Sequence, residues 1–215
     1  MSSSDLPTLS SSQVKQVDAL AEERFGIPVE WLMEAAGWQV ARLVESRAAV
    51  LCGVGNNAGD GLAAARHLHR WGRLASVSCI ERARLHGDAQ RELEALLKLG
   101  VEVGDQPSFA GADLVLDAVF GTGLNRAPEG HFAEWIEAIN ASGLRVVAID
   151  LPSGLDSDTG VAYSPCVRAD LTVTFTLPKA GLLAADGPRV SGSISVADIG
   201  IPQEALAAIG VKAPS

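Results

Sequence analysis

The sequence is short of cysteine, of aromatic side chains and of positive charge. Its 215 residues include three cysteines, Cys52, Cys79 and Cys166. An odd number, wide spacing and no Cys-x-x-Cys pair leave no disulfide framework and no thiolate zinc site. Cys52 and Cys79 stand in apolar runs and read as buried, reduced thiols. Lys and Arg number 17 against 26 Asp and Glu, a formal net charge of −9. That balance lacks the basic footprint of a nucleic-acid grip and offers no basic patch to anionic lipid. Phosphate ligands stay open, because helix N-termini bind them through backbone N–H groups whatever the net charge. No apolar run approaches the length of a membrane span. The opening "MSSSDLPTLSSS" has neither the basic start nor the apolar core of a signal peptide. The expected compartment is the cytoplasm, with neither membrane nor nucleic acid as a partner.

Catalytic signatures are sparse as well. His67 and His69 sit two apart in a helical stretch and point in different directions, so they cannot share a metal. No His-Glu-x-x-His pair, no Gly-x-Ser-x-Gly elbow and no Gly-Lys-Ser/Thr phosphate loop occurs.

What the chain does have is apolar runs alternating with helical periods, and 47% hydrophobic residues with which to build a core. Residues 1–11 are serine-rich and expected to be loose. Ser12 is positioned to cap a helix carrying Val14, Val17, Leu20, Ala21 and Phe25, with Gly26 ending it. A second helix follows Pro28. Short runs at 48–53, 74–80, 113–121, 145–150, 170–176 and 192–200 read as strands, with a weaker one at 101–103. Helices are expected over 60–71, 87–99 and 128–143. Strands apolar on both faces and separated by helices indicate an α/β fold with a mostly parallel sheet covered on both sides. Residues 203–215 read as a short tail or the start of a linker. One domain over 12–202 accounts for the rest.

Three strands end in unusual loops: "LCGVGNNAGDGL" from Leu51, "DAVFGTGLNRAPEG" from Asp117 and "IDLPSGLDSDTG" from Ile149. In an open parallel sheet all three face one crevice beyond the carboxyl ends of the strands. The first fits a dinucleotide-binding turn, Gly53-x-Gly55-x-x-Ala58, with Glu81 at the end of the next strand. Asn56, Asn57 and Asp60 have no part in such a turn, and an aspartate beside phosphate repels it. Asn57, Asp117 and Ser153 bring oxygen atoms from three loops. A single carboxylate among neutral oxygens suits a weakly held monovalent cation; the competing reading is that Asn57 and Ser153 only tie down their own turns and Asp117 caps a neighbouring helix. Gly121, Thr122 and Gly123 present backbone N–H groups to a phosphate, or form a tight turn without a ligand. Asp150 closes an apolar strand, where partial burial fits a carboxylate for acid–base work; it serves equally well as a structural acceptor for the turn that follows. Trp135 reads as core.

"GVGNNAGDGLAAARHL", "DAVFGTGL", "AIDLPSGLDSDTG" and "TVTFTLPKAGLLAADG", with "WLMEAAGWQVA" ahead of the first strand, resemble the YjeF N-terminal domain, the NAD(P)HX epimerase family, over residues 12–202. The resemblance implies a Rossmann-like three-layer α/β/α sandwich and a homodimer. It implies an isomerase of cofactor repair whose substrate is hydrated NADH or NADPH, with a hydroxyl at C6 of the reduced ring in two epimers. By position, Asn56, Asn57, Ala58, Gly59, Asp60, Gly121, Thr122, Gly123, Leu124, Asn125, Arg126, Ala127 and Asp150 match the substrate-binding residues. Asn57, Asp117 and Ser153 match the ligands of a potassium ion, and Asp150 is the expected catalytic group. Ala35, Val54 and Ala58 depart from residues common in the family. A dehydratase, separate or fused, is the implied functional partner. No glycine-rich segment suited to one follows Gly200, so this chain is expected not to dehydrate the hydrate by itself. The competing class is a non-catalytic nucleotide-binding or protein-interaction domain of the same fold.

Overall fold

A computed structural model describes residues 6–212. Seven strands form one sheet in the order β3-β2-β1-β4-β5-β6-β7. They are β1 (Ala48–Cys52), β2 (Leu74–Cys79), β3 (Val103–Gly104), β4 (Leu114–Ala118), β5 (Arg145–Ile149), β6 (Leu171–Phe175) and β7 (Ser193–Ala197). Every pairing is parallel, so the expected mostly parallel sheet is wholly so. All carboxyl ends therefore lie along one edge. The strand order reverses direction between β1 and β4, the place where such sheets open a crevice.

The central strands are buried on both faces, and their side chains alternate between two cores. Val50, Cys52, Leu116 and Ile149 face a core shared with α2 (Val29–Arg42), α3 (Asn56–Arg70) and α4 (Gly87–Lys98). Ala49, Leu51, Val115 and Val146 face a second core built on α5 (His131–Ala141), with Trp135 inside it as expected. This is the three-layer sandwich. Helices α2 and α3 touch backbone to backbone at Gly37, where a Cβ would stand 2.4 Å from the Cβ of Ala63.

Element boundaries differ from the sequence expectation in instructive ways. Helix α1 (Ser11–Phe25) is capped by Ser10 rather than Ser12, in a reciprocal capping box with Gln13. Leu9 is already buried and pairs with Lys179, so the folded unit begins inside the stretch expected to be loose; residues 1–5 lie outside the described ones. Gly26 ends α1 in the left-handed conformation, as read. Helix α3 starts at Asn56, four residues early, which places Asn56, Asn57 and Asp60 on its opening turns. Strand β4 stops at Ala118, freeing residues 119–121 for the loop. Short helices α6 (Ala180–Leu183) and α7 (Gly187–Val190) precede β7. The expected tail forms α8 (Gln203–Ala208), whose Ala205 and Leu206 pack with Leu9, Val17 and Leu177 in a small third core.

Candidate active site

A cleft of about 410 Å³ opens beyond the carboxyl ends of β1, β4, β5 and β6. Its wall begins with the loop after β1. Gly53 is needed there because a Cβ would fall 2.0 Å from the carbonyl oxygen of Val119, so only glycine lets the β1 and β4 loops cross this closely. Helix α3 then starts under the cleft and presents Asn56, Asn57 and Asp60 to it. Gly121, Thr122, Gly123 and Leu124 line the neighbouring side.

Asp150 closes the floor. It follows β5 with φ 66°, a conformation non-glycine residues seldom adopt, and the N–H of Leu151 donates across it to the carbonyl of Ile149 at 2.8 Å. Thr176 does the same after β6, with φ 65° and a bond from the N–H of Leu177 to the carbonyl of Phe175 at 2.7 Å. These are three-residue turns with a positive central φ, the rare and strained kind. Such strain stands at about 1–3 kcal/mol per residue and concentrates at functional sites. Here it turns the Asp150 carboxylate toward Lys179.

Lys179 is only 2% exposed. Its ammonium donates to Asp150 Oδ1, to Thr174 Oγ1 at 3.2 Å and to the carbonyl of Phe175 at 3.1 Å, which engages all three of its donors. Asp150 Oδ1 also accepts from Thr174 Oγ1 at 3.1 Å. Every bond Asp150 makes through its carboxylate goes to Oδ1. Among the described residues Oδ2 has no partner, and Asp150 is part of the cleft lining.

Two more acids share the cleft with this pair. Burial pushes the Asp18 carboxyl of α1 up to about 6, with Lys179 pulling it down and Asp150 pushing it up. Burial also raises Asp60 well above the usual carboxylate range, and the negative charges of Asp150 and Asp18 add to the effect.

Asp117 and Ser153 lie beneath the cleft, fully buried. Asp117 stands within β4 rather than in the loop. It accepts from the N–H of Ser153 at 2.8 Å, from Ser153 Oγ at 2.6 Å and from the N–H of Val119 at 3.2 Å. Ser153 Oγ in turn accepts from the N–H of Phe120 at 2.8 Å. Burial still carries Asp117 up to about 6 against these bonds. Asn57 is buried, and neither polar atom of its side chain has a partner among the described residues. Its side chain packs against Gly121, next to the Phe120 that bonds Ser153. Buried amides left unpaired are costly. Through Gly121 and Phe120 the orphaned amide is linked to the buried carboxylate and hydroxyl, and oxygen donors of this mixed charge are the kind a hard monovalent cation such as potassium takes. No group of three or more His, Cys, Asp or Glu suited to a metal exists among the described residues.

The remaining sequence candidates fall elsewhere. Ala58 and Gly59 are buried in α3 under the cleft, Gly59 against Met33, and do not line it. Asn125 and Arg126 are exposed and Ala127 is half-buried, all outside the lining. Glu81 pairs with Arg84 at the surface. Asp18 and Lys179 escaped the sequence reading. Each left a trace: Asp18 lies on the apolar stripe of α1, four residues after Val14 and three before Ala21. Lys179 is a lone cation between an apolar strand and an apolar turn of helix.

The sequence of residues 29–181 matches the family described as YjeF-related protein N-terminus. The chain belongs to that family. This YjeF-type chain is 37% identical over 213 residues to the NAD(P)H-hydrate epimerase of Rhodopirellula baltica, covering 94% of this chain and 87% of that protein. It is 36% identical to the NAD(P)H-hydrate epimerase of Limosilactobacillus fermentum, covering 88% and 95%. It is 43% identical to the bifunctional NAD(P)H-hydrate repair enzyme Nnr of Thermofilum pendens, covering 91% of this chain and 40% of that one. The YjeF-type chain thus spans about two-fifths of the bifunctional relatives it matches. The crystal structure of yeast ynu0, YNL200c, superposes with a TM-score of 0.83 at 24% identity, covering 98% of this chain and 96% of that one, and shares the fold. No helix among the described residues is long and apolar enough to cross a membrane.

Proposed function

We propose that this protein is an NAD(P)H-hydrate epimerase, interconverting the R and S forms of hydrated NADH and NADPH. The observation that carries the reading is the Asp150–Lys179 pair on the cleft floor, with one carboxylate oxygen held and the other without a partner among the described residues. It stands in a chain that aligns nearly end to end with proteins named for this activity.

The chemistry suits those groups. C6 of the hydrate bears the hydroxyl and adjoins the ring nitrogen. As the nitrogen lone pair assists, the C6–O bond breaks and leaves a planar iminium centre. Water then adds to either face. Asp150 exchanges a proton with the departing and returning oxygen, while Lys179 and Thr174 hold the carboxylate in place. A cleft of this size takes the ring-and-ribose half of the dinucleotide, with the Gly121–Leu124 turn on the phosphate side. Asn57, Asp117 and Ser153 would hold potassium, which would supply a fixed positive charge joining the start of α3, the end of β4 and the loop after β5. The chain acts as a homodimer in the cytoplasm and works with a dehydratase, separate or fused. Trp31, 62% exposed, and Trp38, 41% exposed, on one face of α2 support a subunit contact there.

The test is direct. One purified hydrate epimer is mixed with the protein and the ratio of epimers followed by chromatography. Acceleration of equilibration over the spontaneous rate is expected. Binding of the hydrate without acceleration makes the protein a nucleotide-binding domain instead.

A further inference from the structure

The cleft holds more ionisable groups than a single-carboxylate mechanism uses. Asp18 reaches it from α1, outside the 29–181 segment that matches the family. Its position is fastened from both sides. The N–H of Leu9 donates to the carbonyl of Pro178 at 2.9 Å and that of Ala180 to Leu9 at 3.1 Å, a two-strand clasp on the Lys179 loop. The N–H of Ser11 then donates to Asp158 at 2.6 Å, and Ser11 Oγ to the same carboxylate at 2.7 Å. Helix α1 is thereby docked onto the segment that carries Lys179, and its Asp18 shares the cleft wall with Asn57, whose buried amide is unpaired.

Water loss and return on opposite faces of a planar ring need a proton given on one face and a proton taken on the other. A single carboxylate fixed to Lys179 reaches one face. Resting on the epimerase reading, we propose that Asp18 is a second catalytic residue of this cleft, handling the proton on the ring face that Asp150 does not serve. In one direction the Asp18 carboxyl gives its proton to the C6 hydroxyl. The C6–O bond breaks, the oxygen leaves as water, and the nitrogen lone pair forms the N1=C6 bond. A second water adds from the Asp150 side. The C6–O bond forms, the N1=C6 electron pair returns to nitrogen, and the surplus water proton passes to Asp150. The reverse epimerisation uses the two groups in exchanged roles. No electron is gained or lost overall.

The surroundings suit that task. Asp18 is faced by Lys179 from the loop after β6, by Asp150 from the end of β5 and by Asp60 from α3; Lys15 and Glu22 lie one turn away on its own helix. Lining from α2 and from the segment before α8 is apolar, through Leu32, Met33 and Ile201. Burial among these groups brings its carboxyl to about 6, close to working pH, where a proton-transfer group is most effective.

Asp18→Asn and Asp18→Glu separate this from a structural role. In the hydrate assay Asp18→Asn is expected to lower kcat about 100-fold with KM changed less than threefold, within the usual range for a lost general acid or base. The inflection of kcat/KM near pH 6 should disappear with it, and Asp18→Glu should restore both in part. Thermal melts of the two variants confirm the fold in each case. An Asp18→Asn protein within threefold of the wild type, or one that keeps the pH 6 inflection, overturns the assignment. So does a Glu variant that melts like the wild type yet recovers nothing. If the wild type itself does not equilibrate the epimers, the epimerase reading fails first, and Asp18 has no proton to move.

Discussion

Replacing Lys179 with methionine tests whether the site is held together as the geometry describes. Lys179 is 2% exposed and its partner Asp150 is 8% exposed, so the pair is largely desolvated. Methionine keeps much of the side-chain volume but removes three donors at once, from Asp150, Thr174 and the carbonyl of Phe175. Removing one member of a buried pair costs about 3–5 kcal/mol, because the other charge is left uncompensated. For a protein of this size that is a fall in Tm of about 6–20 °C. The loss should depend on pH. Without Lys179 the Asp18 and Asp60 carboxyls, raised by burial and pulled down by that lysine in the wild type, move further up, so the folded variant binds protons more readily than the unfolded chain. Its deficit is then smallest at acid pH and grows as pH rises through those raised values. Urea denaturation at pH 5 and pH 8 measures it, and the double variant Lys179→Met with Asp150→Asn closes the cycle. Neutralising both partners should recover most of the stability lost at pH 8. A single variant destabilised by under about 1 kcal/mol, or a double variant no better than the single, refutes the reasoning.

Three further outcomes follow from other parts of the molecule. Potassium chloride should stabilise the wild type over choline chloride at equal ionic strength, by about 2.7 kcal/mol at a hundredfold excess over Kd; Asn57→Ala should lose that gain while matching or exceeding the wild type without potassium, since it removes two unpaired buried atoms. Asp117→Asn should flatten the acid limb of the potassium-free stability curve. The wild-type carboxyl is raised to about 6, so its ionisation opposes folding, and stability on its account falls by at most about 3 kcal/mol as pH rises from 4 to 6; a difference curve between the two proteins that stays level across that window would contradict it. Gly37→Ala drives a Cβ into Ala63 and the N of Ala64 at 2.7 Å, and should cost about 1–3 kcal/mol in denaturant melts with m unchanged.

The sheet was legible because each buried strand announces itself. Residues 48–52, 114–118 and 146–149 are apolar almost without interruption, as strands covered on both faces must be. Asn57 and Asp150 were legible for the opposite reason: they are polar residues just where an apolar strand ends. The errors share one cause. Ser10 and Ser12 are equally good caps on paper, and only the reach of Gln13 back to the Ser10 N–H at 2.9 Å decides between them. Leu9 and residues 203–208 look like loose ends because their burial depends on each other and on Leu177, three segments far apart in the chain. Lys179 and Asp18 were missed on the same account. A lone lysine or a lone aspartate carries no motif, and its meaning comes from the charge it is folded against.

That dependence explains why the strained turns and buried charges sit together. A left-handed Asp150, a left-handed Thr176, a desolvated ion pair and an unpaired amide are each unfavourable, and none is required by the sheet. Each fully buried Leu or Ile of β1, β4 and β5 contributes about 1.5–3 kcal/mol, so two or three core side chains offset one such feature. The core can carry several because the strands beneath them are covered on both faces. The disposition is also directional. All four features stand at the carboxyl edge of the sheet, where the β1 and β4 loops part. A chain that merely needed to fold would gain by placing glycine at 150 and an apolar residue at 179. Keeping a carboxylate in a left-handed turn, against a lysine that engages only one of its oxygens, has a physical use if the other oxygen meets a ligand.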